Sequence, residues 1–285
     1  MPKNPLVTPV LKWVGGKRQL LETLAPLLPK KTDPYCEPFV GGGAMLFYLQ
    51  PKVAYINDAN EELMNVYRVI QTDVDALIEQ LGEFRNEEDF FYEVREWDRD
   101  QERYQARSEV ERAARILYLN KTCYNGLYRV NNAGEFNSPF GNYRNPNIVN
   151  APVLRAVSHY FNTAEIHMRS GDYENILNEI PQGTFIYLDP PYDPVSETAN
   201  FTGYVRGGFP KEDQVRLRQC CDQLRSRRMR FMLSNSDTEF IRREYKTYKI
   251  EKVQAKRSIN SVGEKRGDVD EVIVRNYGYD KKRAK

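Results

Sequence analysis

Thr184–Tyr192 reads TFIYLDPPY, which brings a carboxylate, two prolines and an aromatic ring together in four consecutive positions. Asp189 can only accept hydrogen bonds when ionised, Pro190 and Pro191 fix a rigid turn, and Tyr192 offers a flat face. That set suits a planar amine, with acceptors for its amino hydrogens and a ring to stack on. The residues before Asp189 are β-branched, aromatic or aliphatic and predict a short buried strand that must stop there, because consecutive prolines cannot continue a central ladder. In an open α/β sheet the carboxyl ends of strands line the ligand crevice, so Asp189 would project where chemistry is done. Taken alone, DPPY is equally a strand end with a turn. Its company in the chain decides between the two.

Two glycine turns supply that company. Tyr35–Gly43, YCEPFVGGG, followed by AMLFYL, predicts strand, glycine-rich turn and helix, the cofactor end of a Rossmann-like unit. It is not the GxGxxG dinucleotide pattern, so no pyrophosphate is called for. The next strand, Val53–Asn57, delivers Asp58 at its end, at the distance from Gly41 where an acid commonly accepts from ribose hydroxyls. A nucleoside-bearing cofactor without a pyrophosphate fits both features. Earlier, LKWVGGK turns at Gly15 and Gly16 into the apolar-patterned RQLLETLAPLL, predicted as a helix stopped near Pro29. Lys17 falls at that helix start, where a cation is disfavoured by the dipole, and so it should have a partner. A strand over Ala164–Arg169 ends in Ser170-Gly171-Asp172-Tyr173, where Asp172 is another acid at a strand end and also reads as a helix N-cap.

Between these strands, Glu61–Lys121 is helical in its periodicity, with Leu63, Val66, Tyr67 and Ile70 at spacings of three and four. The acidic run Glu87–Glu111 reads as a solvated helical face. Tyr124–Arg144, YNGLYRVNNAGEFNSPFGNYR, has turn chemistry at Asn131, Asn132 and Gly134 and predicts a β-hairpin with Lys121, Arg129 and Arg144 around it. A hairpin can enter the major groove, where Arg paired with guanine is the commonest specific contact. Downstream, Ser196–Phe209 is polar and glycine-rich and reads as a lid. A helix over Glu212–Arg225, a strand over Phe231–Leu233 and strands near Thr247–Val253 and Glu271–Asn276 complete a sheet. The basic turn KRSINSVGEKRGD joins the last two, and Lys281–Lys285 reads as a frayed tail.

The 285 residues suffice for one large or two small domains, and 40% apolar with 29% charged residues is an ordinary make-up. Cys36, Cys123, Cys220 and Cys221 lack CxxC spacing, and His159 and His167 are the two histidines, so neither a zinc site nor a disulfide framework is expected. No apolar run is long enough to cross a bilayer and no signal-peptide core opens the chain, which points to the cytoplasm. The net charge of +2 conceals an asymmetry: Asp58–Glu111 carries six Lys+Arg against seventeen Asp+Glu, whereas Arg225–Arg257 carries eleven against four. One face should therefore repel nucleic acid and another attract it.

The ordered set KWVGGK, EPFVGGG, IND and DPPY closely resembles the alpha-order amino-directed DNA adenine methyltransferases of the Dam type, over nearly the whole chain. The resemblance implies a Rossmann-like α/β fold, a mostly parallel seven-stranded sheet with a reversed terminal hairpin. It implies S-adenosyl-L-methionine as cofactor, held by Trp13, Lys17, Phe39, Gly41, Gly43, Asp58, Asp172, Tyr173 and Asp189. Catalysis would fall to Asp189, Pro190 and Tyr192. YNGLYRxN and GEFNSPFG resemble the Dam target-recognition hairpin, which implies DNA contacts from Tyr124, Asn125, Leu127, Arg129 and Pro139, joined by Lys12, and GATC as the site with Arg129 reading its outer guanine. The expected division is a catalytic domain over 1–60 and 164–285 with a helical and hairpin target-recognition insertion over 61–163. Double-stranded DNA is the expected partner, along with a cognate restriction endonuclease where the enzyme is one of such a pair. The chain is expected to be a monomer with no metal and no membrane. Two other readings compete: a ribosomal RNA adenine methyltransferase, which the major-groove hairpin argues against, and a non-catalytic DNA-binding regulator, which the intact DPPY argues against. A nicotinamide oxidoreductase lacks its phosphate fingerprint.

Overall fold

Alternation within single strands sorts the apolar residues into two cores, one on each side of a sheet. In β4 (Phe185–Leu188), Phe185 and Tyr187 enter one core while Ile186 and Leu188 enter the other. In β7 (Asp268–Arg275), Ile273 faces the first and Val272 and Val274 the second. Strands that are apolar on both faces must be covered on both, which gives three layers. The computed structural model describes residues 3–13, 15–17, 20–195, 208–256 and 268–278.

The remaining strands are β1 (Tyr35–Glu37), β2 (Val53–Asp58), β3 (Glu165–Ser170), β5 (Arg230–Ser236) and β6 (Lys249–Lys256). The seven-stranded order is β3-β2-β1-β4-β5-β7-β6. Neighbours from β3 through β5 pair in parallel, and β7 is antiparallel to both β5 and β6. This is the Rossmann-like sheet with a reversed terminal hairpin that the resemblance implied. The chain runs outward from β1 toward β3 on one side and from β4 toward β5 on the other, so the order reverses between β1 and β4. At such a switch point the crossovers diverge and leave a crevice at the strands' carboxyl ends. Asp189 follows β4 there, and the glycine turn follows β1.

On the first core side lie α1 (Leu21–Leu24), α2 (Ala44–Leu49), α3 (Glu61–Thr72), α4 (Val74–Gly82), α5 (Glu88–Arg95), α7 (Glu109–Thr122) and α8 (Ala151–Thr163), with the short α6 (Gln101–Gln105) before α7. On the second lie α9 (Tyr173–Glu179), α10 (Lys211–Ser226) and α11 (Glu239–Glu244). The buried, reduced Cys220 and Cys221 are packing residues of α10.

Three expectations need correction. The helix expected up to Pro29 is only α1 and a 3-10 turn over Ala25–Leu27, because Pro26 has no N–H to carry an α-helix onward. The acidic run is not wholly solvated: Asp98 is buried and paired with the buried Arg115 at 2.8 Å. The hairpin is built on bridges and not on full strands, with Val130 opposite Phe136 and Cys123 opposite Phe140. Its residues Tyr124–Gly126 form a 3-10 turn. Most of the lid stretch, and most of the basic turn after β6, lie outside the described residues; Phe209 is described and packs edge-on to Phe39, with ring centroids 5.9 Å apart. Among the described residues no helix is long and apolar enough to cross a membrane.

Candidate active site

Four strands end in acids or amides around the crevice, and each end is fixed by different neighbours. After β1, Gly41 and Gly43 take φ of 47° and 69°, a left-handed turn that a Cβ would strain. Space forbids a side chain as well, since a Cβ on Gly41 would lie 2.8 Å from Trp13 Cδ1 and one on Gly43 2.9 Å from Phe47. Tyr67 donates its hydroxyl to Gly41 O at 2.7 Å, and Gly41 N donates to Asp58 Oδ2 at 3.0 Å. Asp58 Oδ1 accepts from Asn60 N at 2.9 Å. Burial pushes the Asp58 carboxyl up from its ordinary value while these two backbone donors pull it back. Asn57, also at the end of β2, ties Pro38 O to Gly171 O through its amide nitrogen, at 3.0 Å each.

Glu37 is buried under the same turn, accepting from Tyr35 Oη at 2.8 Å and Leu46 N at 3.1 Å. Desolvation raises its carboxyl well above the usual range. After β3, Asp172 caps α9 by accepting from Glu174 N at 2.8 Å and pairs with Arg216 at 2.9 Å, which is its N-cap reading. Tyr173 is buried with its ring 5.0 Å from that of Phe39.

The end of β4 is different. Asp189 Oδ1 is buried with the Lys17 ammonium 3.0 Å away as its ion-pair partner, but among the described residues no donor is aligned on it as a hydrogen bond. Lys17 thus has the partner its position called for. The same ammonium donates to Gly15 O at 2.8 Å and sits 4.5 Å from the centroid of the Tyr192 ring. Burial pushes the Asp189 carboxyl up to about 6, against the pull of Lys17, and the charge of Glu271 adds to the rise. Residues remote in sequence hold the motif. Pro191 O accepts from Gln214 Nε2 at 2.8 Å, Asp193 N donates to Asn235 Oδ1 at 3.0 Å, and Tyr192 Oη donates to Glu271 Oε2 at 2.8 Å. The sequence reading missed Glu37, Gln214, Asn235 and Glu271. Two of them carried a signal: Glu37 opens the EPFVGGG motif, and Asn235 is the polar end of a predicted strand.

The candidate DNA residues lie on one connected piece. Lys12, Tyr124, Asn125 and Pro139 are exposed, and Leu127 and Arg129 are half-buried. Asn120, buried in α7, grips the main chain of Lys12 from both sides, accepting from its N at 2.8 Å and donating to its O at 2.7 Å. It also donates to Gly126 O at 3.1 Å, which joins the N-terminal loop to the hairpin's first turn. Trp13, beside Lys12, stacks on Tyr128 of the hairpin at 4.8 Å. Arg129 Nε donates to Asn137 Oδ1 across the hairpin at 2.7 Å.

The sequence model for D12 class N6 adenine-specific DNA methyltransferases matches residues 13–259, from the loop that holds Trp13 and Lys17 through β6. The chain belongs to that family. Relatives agree over nearly full length. A type II methyltransferase of Lactococcus lactis subsp. cremoris is 45% identical over 98% of this chain and 99% of its own. A type II methyltransferase of Methanocaldococcus jannaschii is 42% identical over 95% and 99%. The DNA adenine methylase of Escherichia coli K12 is 33% identical over 93% of each. As an adenine-specific DNA methyltransferase the chain acts on DNA, which sets aside the ribosomal RNA and regulator readings. The D12 match also runs through the hairpin, and hence through both the DPPY end of β4 and the exposed residues Tyr124 and Asn125.

Proposed function

We propose that the enzyme transfers a methyl group from S-adenosyl-L-methionine to the exocyclic nitrogen of adenine at GATC in duplex DNA, with the base turned out of the helix. The observation that carries this is the pairing at Asp189: the Lys17 ammonium lies 3.0 Å from its buried oxygen and 4.5 Å from the centroid of the Tyr192 ring. An adenine amine stacked on Tyr192 would present its N–H in the same relation.

The crevice suits the cofactor. Asp58 meets a glycine turn that lacks a pyrophosphate fingerprint, Asp172 and Asp189 follow the ends of β3 and β4, and among the described residues Asn57 Oδ1 and Tyr173 Oη are buried without hydrogen-bond partners. Such a set favours a cationic, hydroxyl-bearing nucleoside over a dinucleotide. Trp13, Lys17, Phe39, Gly41, Gly43, Asp58, Asp172, Tyr173 and Asp189 would hold S-adenosyl-L-methionine, which supplies a methyl group on a sulfonium.

Adenine's amine is a weak nucleophile because its lone pair is conjugated with the ring, and turning the base out costs a few kcal/mol. Asp189 and the carbonyl of Pro190 accept its two hydrogens and favour the geometry that frees the lone pair. Base entry exchanges the Lys17 ammonium for the amine at Oδ1, so the carboxylate is not left bare. Positive charge grows on the nitrogen as it is alkylated, and the buried carboxylate beside it stabilises that charge. The proton leaves afterwards, so no strong base is required. Tyr192 stacks on the base and fixes its approach.

We assign target recognition to the 61–163 segment, whose hairpin would enter the major groove with Lys12, Tyr124, Asn125, Leu127, Arg129 and Pro139. The hairpin motifs YNGLYR and GEFNSPFG, which resemble the Dam target-recognition hairpin, support GATC as the site, and a cognate endonuclease is the partner proposed with it. The test is incubation with labelled S-adenosyl-L-methionine and duplexes with or without GATC. The expected result is label on adenine in the GATC duplex alone.

A further inference from the structure

A residue far from every motif holds the ring on which the target base would stack. Glu271 lies in β7 opposite Ser236 of β5 and Val253 of β6, and is buried at 8% exposure. Its side-chain hydrogen bond among the described residues comes from Tyr192 Oη at 2.8 Å. We propose that Glu271 is the positioning residue of Tyr192, fixing the tilt of its ring and enriching the ring's electron density for the amine that becomes cationic during transfer. The proposal rests on the adenine reading of this site.

The main chain around Tyr192 is anchored from α10 and β5, by Gln214 on Pro191 O and by Asn235 on Asp193 N. Those bonds set where the Tyr192 Cα lies but leave rotation of the side chain free. The hydroxyl at the ring's far end is the lever on that rotation, and Glu271 holds it. The acceptor's charge has a second effect. A phenol that donates to a carboxylate carries more negative charge on its ring, and the face of such a ring binds cations better. The Lys17 ammonium already rests 4.5 Å from that ring's centroid. The alkylated amine, cationic and stacked on the same ring, would gain from the same field, while a neutral amine in the ground state gains less. An interaction that strengthens toward the transition state raises kcat and not only affinity.

The test is a double-mutant cycle on single-turnover methylation of a GATC duplex, with DNA affinity followed by gel shift. Glu271→Ala should slow transfer by about ten- to a hundredfold, the rate equivalent of one hydrogen bond to a charged group, with DNA affinity nearly unchanged. Glu271→Gln, which keeps an acceptor but loses the charge, should recover part of that rate. Tyr192→Phe should add no further loss in the Glu271→Ala background, because both changes delete one bond. With 2-aminopurine at the target position, Glu271→Ala should leave the extruded base brighter than wild type does, for want of an ordered ring to quench it. If Glu271→Ala fails to fold, the Glu271→Gln and Tyr192→Phe pair decides alone: Gln must slow transfer, and Phe must erase the difference between Gln and Glu. Wild-type rates in Glu271→Gln, or losses that multiply in the double variants, would overturn the proposal. No adenine methylation by the wild-type enzyme would instead remove the reading beneath it.

Discussion

Asp58 and Asp189 stand at the ends of the two strands that flank β1, both pushed up by burial, yet they are held in opposite ways. Asp58 spends its two oxygens on backbone N–H groups of Gly41 and Asn60. Asp189 has an ammonium on a flexible stem and, among the described residues, no aligned donor on its buried oxygen. A carboxylate bonded to the main chain shapes the loop it touches and cannot let go without deforming it. A carboxylate paired with a side chain can change partners at little cost. Under the proposed function the first would hold the cofactor's turn in place and the second would receive the reacting amine.

The contrast predicts unequal effects of equivalent substitutions. Asp189→Ala should lower methyl transfer by about a thousandfold, the scale expected when a preorganised electrostatic partner is lost. Fold and most of the DNA affinity should persist, as judged by circular dichroism and gel shift. Transfer within tenfold of wild type would place Asp189 with Asp58 as a shaping residue.

pH separates the two next. Asp189 must be ionised to accept the amine, and burial pushes its carboxyl up to about 6 in the free protein, so kcat/KM for the duplex should fall about tenfold per unit below that value and level off above it. Stability runs the other way. The folded form binds this proton more tightly than the unfolded chain does, so ionising Asp189 costs stability as the pH rises from the ordinary aspartate value through about 6. A rate profile flat down to pH 5 would break the assignment.

Asp58→Ala should weaken S-adenosyl-L-methionine binding by about 1–3 kcal/mol in calorimetry, since a charged hydrogen-bond partner and the turn's anchor are lost together. Its rate at saturating cofactor should stay close to wild type, in contrast to Asp189→Ala. Equal losses in rate and affinity would erase the distinction.

The smallest effect is confined to one base pair. Arg129, now bonded to Asn137, would exchange that partner for a guanine, and a bidentate Arg contact is worth about 1–3 kcal/mol of discrimination. Arg129→Ala should relax selectivity at the outer guanine of GATC more than at its neighbours, in methylation rates on single-substitution duplexes. A uniform drop with unchanged ratios would make it a phosphate contact.

Much of this contrast was legible in the chain. DPPY after a buried strand placed Asp189 at a crevice, the glycine turn placed Asp58, and the misplaced cation at Lys17 announced its ion pair. The parallel strands β1 to β5 were readable because each has a Gly, Pro or acid at or beside one of its ends. What stayed hidden was whatever depends on contacts between distant segments. Glu271 is an unremarkable acid in a β-run until the antiparallel return of β7 brings it to Tyr192, 79 positions away. Asn120 sits in the last turn of α7, and nothing local shows that it clasps Lys12 across 108 positions. Asp98 looked like one more charge on a wet face, but Arg115 draws it inside. Periodicity reports a residue's own element, and these side chains act on another.

The central claim is adenine methylation at GATC by the Asp189 site, and mapping methylation on a mixed-sequence duplex library tests it most directly. The wild-type enzyme, given S-adenosyl-L-methionine, should place N6-methyl groups on adenines within GATC and leave other sequences bare, while Asp189→Ala should leave the whole library unmodified. Methyl groups on another base, on adenines without regard to GATC, or at full level in Asp189→Ala would contradict it.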